Sequence, residues 1–214
     1  LDKEYDKLQK EYGDKKLPSI YNGGCENNPI VCFIFMNPTG RNIASYDTWK
    51  SRRSPWIGTK NIWKLFYKID FLSPKIYEEI QTKKPQEWDE KFAEKVYEDV
   101  TKHKYFITNL GKCNQLDARP LPNTVYKQYL ELLYKEIEII NPKIIITFGN
   151  QVSSILLNQN ICVSKCRKRK YTKTINQKEY EIYPTYYPVG NGMRNIDLAV
   201  EDIKCIIKSK LKEK

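Results

Sequence analysis

The chain has 214 residues, 40% of them apolar, enough for one sizeable core and too many for a globally disordered polymer. Its net charge of +11 points to an acidic polymer as partner, nucleic acid foremost, although an AT-rich coding sequence would raise lysine by itself. A single histidine, His103, all but excludes a histidine-based metal site or a Ser-His-Asp triad that does not use it. No apolar run approaches the ~20 residues that cross a bilayer, and Leu1-Asp2-Lys3-Glu4-Tyr5 lacks a signal-peptide h-region. An intracellular protein, cytoplasmic or nucleoid-associated, is expected. The six cysteines (Cys25, Cys32, Cys113, Cys162, Cys166 and Cys205) include no CxxC pair, so a disulfide framework is not expected. Cys32 and Cys205 fall in apolar patterns and read as buried small hydrophobes. Cys162 and Cys166 have a spacing seen at metal sites, a weak signal alone.

In chain order, residues 2–12 predict a charged helix, and Pro18 and Gly23-Gly24 a loop. The run from Pro29 to Phe35 is apolar, β-branched and aromatic, and ends in Met36-Asn37-Pro38-Thr39-Gly40. It predicts a buried strand that stops at Pro38, which cannot donate to a ladder. Asn37 is then left at the strand's carboxyl end, the rim where open α/β sheets bind ligands. Residues 43–60, with Trp49, Arg52, Arg53, Pro55, Trp56 and Gly58, lack periodicity and predict a long functional loop. Helices follow at about 59–70 and 86–103. Tyr105 to Asn109 predicts a second strand, again ending in asparagine, and Gly111 to Pro122 a loop. Asn123 is placed to cap a long helix reaching Ile140, where Asn141-Pro142 stops it. Lys143 to Phe148 is the third strand, and Gly149 opens a helix over 151–157. The basic stretch 160–178 is either a solvated hairpin or a phosphate-contacting edge. Glu181 to Tyr186 is the fourth strand, and 196–211 a last amphipathic helix.

Strands alternating with helices imply right-handed crossovers and a covered parallel sheet. The expected fold is α/β: one domain over 1–214, a three-layer αβα sandwich with a mainly parallel four-stranded central sheet. Its strand exits carry Asn37-Pro38, Asn109, Gly149 and Tyr187-Pro188-Val189-Gly190, which converge on one rim if the strands are parallel.

These segments resemble, in order, the motifs of the uracil-DNA glycosylase superfamily. Phe35-Met36-Asn37-Pro38 resembles its Gly-x-Asn-Pro turn, in the form seen in the mismatch-specific and single-strand-selective branches. Pro55-Trp56-Ile57-Gly58 resembles a Pro-Phe-Val-Gly segment that offers an aromatic platform to a flipped base. Thr108-Asn109-Leu110-Gly111-Lys112-Cys113 is similar to the thermophilic branch's Thr-Asn-x-x-Lys-Cys. Asn141 to Gly149 resembles its Arg-Pro-Lys strand and Leu-Gly turn, and Tyr187 to Asn195 its minor-groove loop.

The resemblance implies catalytic roles for Asn37 and Tyr187, and base contacts from Met36, Thr39, Trp56 and Asn109. It implies DNA contacts from Arg41, Pro188, Gly190, Met193 and Arg194, with Met193 as the wedge that fills the vacated stack. Uracil-containing or mismatched DNA, single- or double-stranded, is the implied partner of a monomer that engages no membrane. Two departures stand out: Phe35 replaces a glycine, narrowing the turn, and Tyr187 replaces a histidine. A phenol donates a hydrogen bond but carries no positive charge. Thr39, smaller than the tyrosine of strict uracil enzymes, leaves room for thymine or hypoxanthine. Only Cys113 matches the cysteines of the thermophilic branch's iron–sulfur cluster, with Tyr126 at another cysteine's place, so no cofactor is expected.

The chemistry suits these residues. Hydrolysis of an N-glycosidic bond needs a water-orienting acceptor, a donor to the departing base and a flipped nucleotide, without a metal. Structural alternatives remain: Asn37 and Asn109 as turn caps, Trp56 as packing, Tyr187 as a strand-end aromatic. Rival functions are a glycosylase for hypoxanthine or another altered base, and a non-catalytic binder of damaged DNA. A nucleotide-binding α/β protein is disfavoured because no GxGxxG or GxxxxGK[ST] loop follows the first strand.

Overall fold

A computed structural model of the chain describes residues 1–119 and 121–212. The strands are Gly23–Gly24 (β1), Val31–Phe35 (β2), Tyr105–Asn109 (β3), Ile144–Phe148 (β4), Tyr171–Ile175 (β5) and Lys178–Thr185 (β6). They form one sheet of order β1-β3-β2-β4-β6-β5. β2, β3, β4 and β6 run parallel, and the edge strands β1 and β5 are antiparallel to their neighbours. Every residue of β2, β3 and β4 is buried, because helices cover both faces.

The sheet therefore has six strands where four were expected. β1 is a glycine pair with no β signature, and only tertiary contact makes it a strand. Gly24 has φ +106°, and a Cβ there would stand 2.4 Å from the Tyr105 carbonyl oxygen. β5 lies within the basic stretch, which is indeed a hairpin. Asn176 and Gln177 both take positive φ, the requirement of a two-residue turn that matches strand twist.

The helices are Asp2–Tyr12 (α1), Asn61–Lys68 (α2), Pro74–Thr82 (α3), Glu90–Lys102 (α4), Asn123–Gln128 (α5), Leu130–Ile140 (α6), Asn150–Leu157 (α7) and Ile196–Lys212 (α8). Alternation along β2 sends Val31, Phe33 and Phe35 to the face covered by α2, α3, α4 and α8. Cys32 and Ile34 face α5, α6 and α7. α1 packs Tyr5 on Tyr129, with ring centroids 6.3 Å apart.

Several expectations shift here. The helix expected from Asn123 to Ile140 is two helices that meet at Tyr129. Asn123 is the first helical residue rather than the cap, and its Oδ1 accepts from Gln151 Nε2 at 2.8 Å. The helix expected to begin near 86 begins at Glu90, capped by Asp89, which accepts from the Phe92 amide at 2.7 Å. α3 was not foreseen, because nine residues with only Ile76 and Ile80 buried give little periodicity. Cys205 is exposed, on the outer side of α8 opposite Ile203, Ile206 and Ile207. Pro120, within the expected loop from Gly111 to Pro122, lies outside the described residues.

The basic stretch is held by carboxylates of the same chain. Arg167 Nε donates to the fully buried Asp202 of α8 at 3.0 Å, and Arg167 Nη2 to Glu201 at 2.9 Å. Lys168 also pairs with Glu201, and Lys170 with Glu181. Asp202 accepts from Thr185 Oγ1 at 3.2 Å as well, which ties α8 to the exit of β6. Asp202→Ala leaves Arg167 and Thr185 without this acceptor and is expected to cost about 2–3 kcal/mol, the low end for a broken buried pair because Arg167 is partly exposed. A thermal melt should then show a midpoint lowered by about 5–10 °C.

Candidate active site

The chain leaves β2 toward α2 on one face of the sheet, and leaves its neighbours β3 and β4 toward α5 and α7 on the other. In open sheets the point where the connections diverge in this way, at the carboxyl ends of the strands, is the usual ligand position. Phe35 is in register with Asn109, and the pairing runs on: the Leu110 amide donates to Phe35 O at 2.8 Å and the Gly111 amide to Met36 O at 2.9 Å. Asn37 and Asn109 thus stand on adjacent strand exits. Beyond them Thr39 bridges to Gln115, and the Gly40 amide donates to Gln115 O at 2.7 Å. On the other side the Gly149 amide donates to Thr185 O at 2.8 Å, which brings Tyr187 beside the turn. A Cβ at Gly149, where φ is +85°, would lie 3.6 Å from Tyr187 Cβ.

Asn37 is half-buried and held on both sides of its amide. Its Nδ2 donates to Pro38 O at 3.0 Å and to Cys113 O at 3.5 Å. Its Oδ1 accepts from the Tyr126 hydroxyl at 2.7 Å. Asn109 differs in kind. It is 1% exposed, and its Nδ2 has no hydrogen-bond partner in the structure. An orphaned buried donor costs about 1–3 kcal/mol, and this one stands at a strand exit, where an acceptor on a ligand would complete it. The main chain beneath is fixed: Lys112 Nζ donates to Asn109 O at 3.0 Å, to Glu136 Oε2 at 3.0 Å and to Thr108 Oγ1. Thr108 Oγ1 donates to the same Glu136 oxygen at 2.6 Å. Lys112 is fully buried and Glu136 2% exposed, an ion pair sealed beneath Asn109.

Trp56 has φ +66°, a left-handed backbone that a bulky side chain adopts only under constraint, at about 1–3 kcal/mol. The constraint is visible. Trp56 O accepts from Thr59 Oγ1 at 2.7 Å and Trp63 Nε1 at 3.3 Å, while the Tyr97 hydroxyl donates to Pro55 O. The Trp56 ring stands edge-on to Phe35 at 5.0 Å, and its buried Nε1 is unpartnered. Phe35 does not fill the turn, contrary to the sequence expectation. As the last residue of β2 it points into the core, stacks on Phe148 at 4.3 Å, and props both Trp56 and Tyr187, the latter at 6.2 Å.

Tyr187 is half-buried, and desolvation pushes its phenol pKa upward, so it is a donor and not a base at neutral pH. The loop after it folds back so closely that a Cβ at Gly192 would meet Tyr187 O at 1.9 Å. In that loop Pro188 is buried, Met193 half-buried, and Gly190 and Arg194 exposed. Arg41 is exposed beside the β2 turn, Thr39 is half-buried, and Met36 packs toward α5–α7.

Burial likewise pushes up the phenols of Tyr5, Tyr97 and Tyr105. Unfolded, they ionise near pH 10; folded, they hold their protons higher. The unfolded state therefore binds fewer protons above about pH 10, and stability falls there as pH rises. Urea midpoints from these groups should be level between about pH 8 and 9 and lower at about pH 10.5.

Sequence reasoning missed Tyr126 as the partner of Asn37, and the pair of Lys112 and Glu136. No local signal marks them, since Tyr126 lies 89 positions from Asn37 and Glu136 lies 24 from Lys112. Around Cys113 the donor set does not fit an iron–sulfur cluster. Its thiol, pushed up to about 11 by burial, is packed with Tyr5, Tyr129 and Leu132. Among the described residues no group of three or more His, Cys, Asp or Glu side chains is placed to hold a metal.

The chain is 33% identical over 92 residues to a type-4 uracil-DNA glycosylase of Sulfurisphaera tokodaii, a stretch covering 40% of each protein. It is 32% identical over 95 residues to a type-4 uracil-DNA glycosylase of Saccharolobus solfataricus, covering 42% of this chain and 44% of that relative. The matched stretch thus spans under half the length of these curated relatives. The family model described as the uracil DNA glycosylase superfamily matches residues 25–198, a stretch that holds all four strand exits and the loop after Tyr187. With that match over most of its length, the chain belongs to the uracil DNA glycosylase superfamily.

Proposed function

We propose that the protein is a monofunctional DNA glycosylase that excises uracil from DNA, acting as a monomer. The observation that carries this reading is the buried, unpartnered Nδ2 of Asn109 at the adjacent exits of β2 and β3. A flipped uracil offers O4 to that donor and N3–H to the amide oxygen, whereas cytosine offers the reverse pattern and leaves both unpaired. The names of the two relatives, both uracil-DNA glycosylases, support the same substrate.

In this mechanism the nucleotide leaves the stack at a cost of a few kcal/mol, least at a mismatched or unpaired position. Trp56, locked in its strained backbone, stacks on the base, worth about 1–3 kcal/mol. Met36 and Thr39 line the pocket, and the loop of Pro188, Gly190 and Met193 enters the groove, with Met193 in the vacated stack. Arg41 and Arg194, both exposed, contact phosphate. The C1′–N1 bond breaks with its electron pair on the base, and the Tyr187 hydroxyl donates to the base oxygen where negative charge collects. Water held by Asn37 Oδ1 adds to the sugar cation and its proton passes to solvent, because a neutral amide cannot keep it. Protein mixed with labelled oligonucleotides carrying uracil opposite G, uracil opposite A, unpaired uracil or hypoxanthine should leave alkali-labile sites on the uracil strands. Tight binding with no abasic site on any strand would instead establish a non-catalytic binder.

A further inference from the structure

An asparagine amide has four hydrogen-bonding positions, two N–H donors and two oxygen lone pairs. At Asn37 three are used. Nδ2 faces the carbonyl oxygens of Pro38 and Cys113, which fixes the amide's orientation, since the flipped form would set an oxygen against two oxygens. Oδ1 accepts from the Tyr126 hydroxyl at 2.7 Å. One oxygen lone pair remains, so Asn37 can present only an acceptor to whatever binds at this rim. Tyr126 is fully buried in the first turns after the β3 loop, and its ring packs on Gly111, where a Cβ would stand 3.1 Å away. The hydroxyl is therefore as fixed as the helix that carries it.

We propose that Tyr126 is a positioning residue: by occupying one lone pair of Asn37 it aims the other at the attacking water. This rests on the reading of Asn37 as the water-orienting group. The test is a double-mutant cycle of Tyr126→Phe and Asn37→Ala, read by single-turnover release of uracil from a single-stranded oligonucleotide. Affinity for that DNA and the thermal midpoint are measured in parallel. Tyr126→Phe keeps the ring and its packing, and should slow release about tenfold with affinity unchanged, the effect of one hydrogen bond that holds a reacting group in place. In the Asn37→Ala background the same substitution should change nothing further. Release at the wild-type rate in Tyr126→Phe, or an equal slowing in both backgrounds, would overturn the positioning role while leaving Asn37 in place. Full activity in Asn37→Ala alone would remove the reading of Asn37 and the inference with it.

Discussion

Replacing Asn37 by alanine is expected to slow base release by about 10²-fold, the scale for losing a group that orients a reacting water. Affinity for DNA should hardly move, because the side chain is half-buried and its amide nitrogen is already spent on two carbonyls. A loss in kcat with KM unchanged marks an interaction made in the transition state. The variant should remain folded: the groups it strands are the carbonyls of Pro38 and Cys113 and one tyrosine hydroxyl, each able to take a water in the space vacated. Single-turnover kinetics with a uracil oligonucleotide, set beside a fluorescence titration of binding, checks both halves. A fall in affinity that matched the fall in rate would show Asn37 to be a turn-forming residue whose loss distorts the pocket.

Asn109→Leu is expected to act in opposite directions on stability and activity. Leucine has nearly the same shape and removes a buried donor that has no partner, so the folded protein should gain about 1–2 kcal/mol and melt about 3–6 °C higher. The same change removes both hydrogen bonds proposed to distinguish uracil, and release should fall by about 10²–10³-fold. Stability gained with activity lost is the mark of a group held against its own interest for a ligand. A structural asparagine would behave otherwise, since its replacement would lower the melting temperature. Differential scanning calorimetry and the abasic-site assay on one preparation separate the two.

The four parallel strands were legible because their information is local. A run such as Val31 to Phe35, apolar at every position and closed by Asn37-Pro38, admits little but a buried strand with a polar residue at its exit. The exits at Asn109, Gly149 and Tyr187 follow in the same way, and the order of these motifs along the chain carried the family resemblance. The edges were not legible. β1 is two glycines, and β5 is Tyr-Thr-Lys-Thr-Ile, polar over its three central residues, so neither shows the apolar run of a buried strand and each is fixed by the neighbour it pairs with. Composition left the basic stretch as a hairpin or a phosphate-contacting edge; that it is a hairpin, with Arg167, Lys168 and Lys170 paired to Glu201, Asp202 and Glu181, came from the tertiary structure.

By itself, then, the sequence determined the strand exits and the residue types at them, since side-chain pattern and turn chemistry act over a few residues. Only the tertiary structure decided what state those residues are in. The Tyr126 hydroxyl on Asn37, the sealed pair of Lys112 and Glu136 below Asn109, and the ring of Phe35 between Trp56 and Tyr187 join positions far apart in the chain. Whether an amide is satisfied or left waiting for a ligand depends on every neighbour that packing brings within hydrogen-bond reach, and no local pattern contains that information.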